Sequence, residues 1–158
     1  MNPTLEFNAQ KTVESLVPKV IATMASLTVS PHPGRTPQSK GDQVSGTLGI
    51  VGDTVMGAVY IHLPAPLACL IANAMFGNPA DQAVSDSDMN DVVGELTNMI
   101  GGGFKSALCD ADRPCAMSTP SIIRGAYAVE VPQELHAEVF PFTCQGHAFA
   151  VEVHTKFD

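Results

Sequence analysis

The chain has 158 residues, 45% of them apolar and 15% charged, a balance that predicts one globular domain over 1–158 and excludes a disordered chain. A net charge of −8 with no Lys/Arg cluster speaks against a nucleic-acid partner. No apolar run approaches the ~18–20 residues of a membrane span, and "MNPTLEFNAQ" lacks the basic start and apolar stretch of a signal peptide, so no membrane is expected and the location is read as cytoplasmic.

Phe7, Val13, Leu16, Val17, Val20, Ile21 and Met24 recur at helical spacing and predict a first helix over Leu5–Leu27, kinked or bounded at Pro18. The Pro- and Gly-rich "SPHPGRTPQSKG" predicts an exposed loop within 28–41. Two strands follow, "QVSGTLGIVG" and "TVMGAVYIHL", joined at Gly52-Asp53. "PAPLACLIANAMFG" predicts a buried helix, opened by Pro64 or Pro66 and closed by Gly77 with Asn78-Pro79. Ser85 or Ser87 can cap the next helix, with Asp86 and Asp88 at its positive end; it should run to about Leu108 and give way to the loop "CDADRPC". The rest reads as strands: "AMSTPSIIRG", "AYAVEVP", then "ELHAEVFPFT" and "HAFAVEVHTKF" as a hairpin turning at Cys144-Gln145-Gly146. This order predicts an α+β fold, with helices gathered on one face of a largely antiparallel sheet.

Cys69, Cys109, Cys115 and Cys144 form no CxxC pair, and the histidines show no HxxxH or HxxE spacing. Neither a metal site nor a catalytic cysteine is expected. Cys115 follows a proline in a polar loop with no histidine beside it, and free cysteines mostly serve as small apolar residues.

The long helix carries the chemistry. At 100° per residue, Met89, Val92, Val93, Leu96, Ile100, Phe104 and Ala107 share one face, with Met99 at its edge. The opposite face carries Asp91, Glu95, Asn98, Gly102 and Lys105. A solvated surface helix accounts for such a face, but it does not account for three consecutive glycines, Gly101, Gly102 and Gly103. Each glycine costs about 0.5–1 kcal/mol relative to alanine in a helix interior. Two readings stand. Gly102, flanked by Gly101, can leave a flat docking surface around Glu95 and Asn98, with Gly103 inward; or all three can serve internal packing.

The stretch "DVVGELTNMIGGGFKSAL" resembles the signature helix of the chemotaxis phosphatases CheC and CheX. That signature is Asp or Ser, three residues, Glu, two residues, Asn, matched here by Asp91, Glu95 and Asn98. The N-terminal helix, the strand pair, and Ser118 and Pro120 leading into "SIIRG" extend the resemblance over nearly the whole chain, in the manner of the CheX branch. CheC-type relatives carry two such helices. The first helix here has Glu14 but Val17 where the Asn would stand, which implies one site.

The resemblance implies hydrolysis of the aspartyl phosphate of a CheY-like response regulator, with Asn98 and Glu95 as the catalytic pair. Phosphoryl transfer leaves a catalyst little covalent work, so placing the attacking water in line contributes most. An Asn amide, with one acceptor and two donors, suits that task. Asn98 is then the residue that holds the water, and Glu95 pairs with a lysine of the regulator. Asp91, Gly102 and Lys105 complete the partner-binding face. No cofactor is implied in this chain; Lys and Mg²⁺ on the regulator stabilise the phosphoryl oxygens. A homodimer formed through strand exchange or sheet extension is also implied, with the C-terminal hairpin supplying edges. The alternative is a non-catalytic adaptor of the same fold that binds the regulator without Asn98 chemistry.

Overall fold

The computed structural model describes residues 7–32, 42–125 and 129–158. Helix α1 spans Ala9–Ala25, and Asn8 caps it by accepting from the Lys11 N–H at 3.0 Å. It runs through Pro18 rather than stopping there. The proline removes one backbone donor, but the buried Val13, Val17, Val20 and Ile21 hold both halves on the core. Val17, at the position where a second Asn would stand, is fully buried.

Strand β1 (Val29–Pro31) was not foreseen and takes the start of the expected loop; residues 33–41 of that loop lie outside the described residues. Strands β2 (Gln43–Gly52) and β3 (Val55–Pro64) form the expected pair, and helix α2 (Ala65–Phe76) ends at Gly77 in the left-handed region, φ +72°. Buried Asn73 ties down the following loop by donating to the carbonyls of Ala80 and Gln82 at 3.2 and 2.9 Å. Helix α3 spans Asp86–Asp110, two residues beyond the expected end, with Ser85 as its cap.

The stretch "AMSTPSIIRG" forms two strands instead of one, β4 (Cys115–Met117) and β5 (Ser121–Arg124). Both pair with β2, and Ser118 fills the gap between them: its N–H donates to the Gly49 carbonyl and its Oγ accepts from the Gly49 N–H, each at 2.9 Å. Of the strand expected over "AYAVEVP", residues 126–128 lie outside the described set and 129–132 are irregular. β6 (His136–Cys144) and β7 (His147–Phe157) form the C-terminal hairpin, whose turn residues Gln145 and Gly146 both have positive φ.

The described strands make one antiparallel sheet in the order β1-β6-β7-β3-β2-β4, with β5 also on β2. β7 is therefore interior, paired with β3 from Val55↔Phe157 to His62↔Ala150, and is not the edge expected of it. β6 carries β1 against only its last residues, Phe142–Cys144. The helices cover one face, where Val44, Leu48 and Ile50 of β2 meet Val59, Ile61 and Leu63 of β3 and Phe149, Val151 and Val153 of β7. The α+β reading holds.

The opposite face carries a part-buried polar chain. Ser45 Oγ lies 3.0 Å from His62 Nδ1; Glu152 reaches His62 Nε2 at 3.2 Å and His154 Nε2 at 2.6 Å. These bonds, led by that from His62, hold the Glu152 carboxyl below the usual glutamate range, against the opposing effect of burial.

Candidate functional site

α3 is fixed at four places by contacts that the hydrophobic pattern only partly foretold. Underneath, buried Thr97 sits over Gly46 of β2: a methyl at Gly46 would overlap the Thr97 hydroxyl and lie 2.9 Å from its Cβ. A turn further on, Gly101 rests on Leu48, where an added Cβ would overlap one methyl and stand 3.0 Å from the other. On the α1 side, an added Cβ at Gly103 would meet Leu16, and the Phe104 ring meets Phe7 edge-on at 5.2 Å. At the helix start, Arg124 of β5 donates to Asn90 Oδ1 and to the Asp86 carbonyl, both at 2.9 Å.

These contacts separate the two readings of the glycine run. Gly101 does not flank the outer surface; it is buried and lets the helix settle on β2. Gly103 serves helix–helix packing. Gly102 alone has no internal reason to lack a side chain, because the nearest atom to an added Cβ is Met117 Cε at 3.9 Å, an ordinary contact. Ala107, expected inward, is only half-buried, while Leu108 is fully buried.

The outer face gathers the expected residues. Asp91, Glu95 and Asn98 are exposed, Gly102 and Lys105 half-exposed, and no side-chain hydrogen bond or ion pair to a described residue engages Asp91, Glu95 or Asn98. Glu95 and Asn98 lie three residues apart, hence side by side about one turn from each other. A carboxylate and an amide standing free beside a bare stretch of backbone can accept from a cation and orient a small polar molecule at a surface brought against them. Among the described residues, no group of three His, Cys, Asp or Glu is placed to hold a metal ion.

Sequence reasoning missed Gly46 and Thr97, which set the height of the helix over the sheet, and Arg124, which pins its start. A glycine in a strand signals a close approach, but not which element approaches. No described helix is long and apolar enough to cross a membrane.

No curated protein matches the chain. Among solved structures, the chain is similar to the chemotaxis protein CheX of Vibrio vulnificus (TM-score 0.79, 28% identity, covering 92% of this chain and 97% of that one). It is also similar to CheX of Desulfovibrio desulfuricans (TM-score 0.75, 27% identity, 90% and 95% covered). The fold is shared by CheX in the CheX–CheY–BeF3–Mg complex of Borrelia burgdorferi (TM-score 0.73, 18% identity, 96% and 99% covered). The family model described as chemotaxis phosphatase CheX matches residues 44–143, which hold β3, α2, α3, β4 and β5 whole and β2 from its second residue. The chain belongs to the chemotaxis phosphatase CheX family.

Proposed function

We propose that the protein hydrolyses the aspartyl phosphate of a CheY-like response regulator, with α3 laid against the regulator's phosphorylation site. The observation that carries this reading is the outer face of α3: Glu95 and Asn98 exposed and unengaged by described residues, next to Gly102, whose Cβ position is open. The family and the CheY partner in the Borrelia complex support the choice of substrate. Asn98 holds the attacking water in line with the phosphorus without removing its proton early, and Mg²⁺ and lysine stay with the regulator. Glu95 pairs with a regulator lysine, and Asp91 and Lys105 contact the rim. Desolvating the Glu95 pair on docking makes loss of one partner cost about 2–5 kcal/mol.

Single-turnover decay of phosphorylated regulator, followed against increasing enzyme, tests the two roles. Asn98→Ala should bind nearly as well as wild type and turn over far more slowly at saturation. Glu95→Ala should chiefly weaken binding, with part of the rate recovered at high concentration. Full activity of Asn98→Ala at saturation would refute water positioning and leave a regulator-binding adaptor. The protein is also proposed to form a homodimer by sheet extension along the His136–Phe140 portion of β6, where β1 does not reach. Sedimentation at micromolar concentration should show twice the chain mass; a monomer throughout that range would refute it.

A further inference from the structure

β4 returns along α3 with alternate residues facing it. Met117 pairs with Ile50, whose side chain lies on the helix side of the sheet, and its Cε lies 3.9 Å from where a Gly102 Cβ would stand. Cys115, two residues earlier on the same strand, faces the same way and packs on the core. On the helix, Cys109 follows Gly102 by seven residues, which returns it to within about 20° of the same direction. The face of α3 that meets Met117 therefore presents an exposed Cys109 where β4 presents a half-buried Cys115. The two thiols are near enough across the gap between α3 and β4 for Cys109 to act on the Cys115 thiol.

The turn that joins them is held firmly. Asp112 N–H donates to the Cys109 carbonyl and Arg113 N–H to that of Leu108, at 3.1 and 2.8 Å. The Arg113 guanidinium donates to the carbonyls of Thr54 and Asp158 at 3.0 and 2.8 Å and stacks over Phe157. Cys115 is pinned opposite Gly52, where an added Cβ would stand 3.1 Å from its own. These bonds fix the backbone that carries both thiols.

We infer that Cys109 and Cys115 form a reversible dithiol–disulfide site, with exposed Cys109 as the thiol that meets oxidant and Cys115 as the one that resolves the adduct. The oxidant class is a low-molecular-weight disulfide. Cys109 thiolate attacks one of its sulfurs, forming a mixed disulfide and releasing one thiolate. Cys115 thiolate then attacks Cys109 Sγ, closing the intramolecular bond and releasing the second thiolate. Two protein thiols are oxidised, one small disulfide is reduced to two thiols, and the leaving thiolates take up the two protons. Burial and the neighbouring Cys109 push the Cys115 thiol up, against the lesser effect of Lys105, so Cys115 is the poorer first nucleophile. In a reducing compartment such a pair is transient and senses oxidant. It lies at the end of the face proposed for docking but does not depend on that proposal.

The test uses the whole protein with oxidised glutathione, followed by alkylation and peptide mass mapping. Wild type should lose two of its four thiols and give a linked Cys109–Cys115 peptide lighter by two hydrogens, at a rate unchanged by dilution of the protein and reversed by dithiothreitol. Cys115→Ser should instead retain glutathione on Cys109. Cys109→Ser should leave Cys115 free over the same interval. Persistent glutathione on Cys109 in wild type, or a link to Cys69, Cys144 or a second copy, would overturn the assignment.

Discussion

Three adjacent glycines in one helix should respond to the same substitution in three ways. Alanine gains about 0.8–1.0 kcal/mol of helix propensity over glycine at each position, so the differences come from what the new methyl meets. At Gly102 it meets only Met117 Cε at 3.9 Å, and the full gain of about 1 kcal/mol should appear. At Gly103 it meets the tip of Leu16, a half-buried side chain that can swing outward, so gain and lost packing should roughly cancel. At Gly101 it overlaps Leu48, which is 3% exposed and packed in the core. Overpacking of this kind costs about 1–3 kcal/mol, leaving a net loss of up to about 2 kcal/mol after the propensity gain. Urea unfolding midpoints at constant m-value should therefore rank Gly102→Ala above wild type, Gly103→Ala near it and Gly101→Ala below it.

The functional arm uses Gly102→Lys, which keeps the helix gain but fills the surface. It should fold at least as well as wild type and dephosphorylate the regulator poorly. A Gly102→Ala that unfolds as readily as Gly101→Ala would show that the outer face is packed, and would refute the docking surface. Unchanged dephosphorylation by Gly102→Lys would refute it independently.

Gly46→Ala should displace α3 at Thr97, the residue beside Asn98, costing about 1–3 kcal/mol and lowering turnover in the variant that remains folded; unaltered turnover and stability would contradict the close seating of α3 on β2. The depressed Glu152 carboxyl contributes stability that is complete above the unfolded-state glutamate value and is lost as the pH falls through its lower folded value. Wild type should thus exceed Glu152→Gln in stability at neutral pH and converge on it in acid, measured by urea unfolding across that range; a gap independent of pH would rule out this linkage.

The fold was legible because its elements carry local marks. Ser85 with Asp86 and Asp88 marks the start of α3, and Gly77 closes α2 in the conformation only glycine adopts freely. β1 was not legible: three residues, with Pro31 among them, form a strand only because the end of β6 leaves partners for them. The interior place of β7 is likewise a matter of pairing partners, which alternation along one strand does not reveal. Within the site, the facing of Asp91, Glu95 and Asn98 follows from helical periodicity. The facing of the glycines does not, because a residue without a side chain leaves no apolar or polar mark, and only Leu48, Leu16 and Met117 tell the three apart.

Those neighbours also explain why so costly a helix suits the proposed chemistry. Under the proposed function, Glu95 and Asn98 act in a site completed by another protein, so they must stay free of internal partners and surrounding side chains cannot hold them. Their precision has to come from the backbone that carries them. Gly46 and Gly101 let that backbone lie close over β2, Gly103 lets it lie close to α1, and Arg124 fixes its start. Close packing admits few alternative positions, and a displacement of about an ångström at a catalytic group can cost on the order of a hundredfold in rate. Two of the three glycines thus supply rigidity beneath the face, and the third keeps the face open. The stability given up in helix propensity goes into placing two side chains that no other described residue holds.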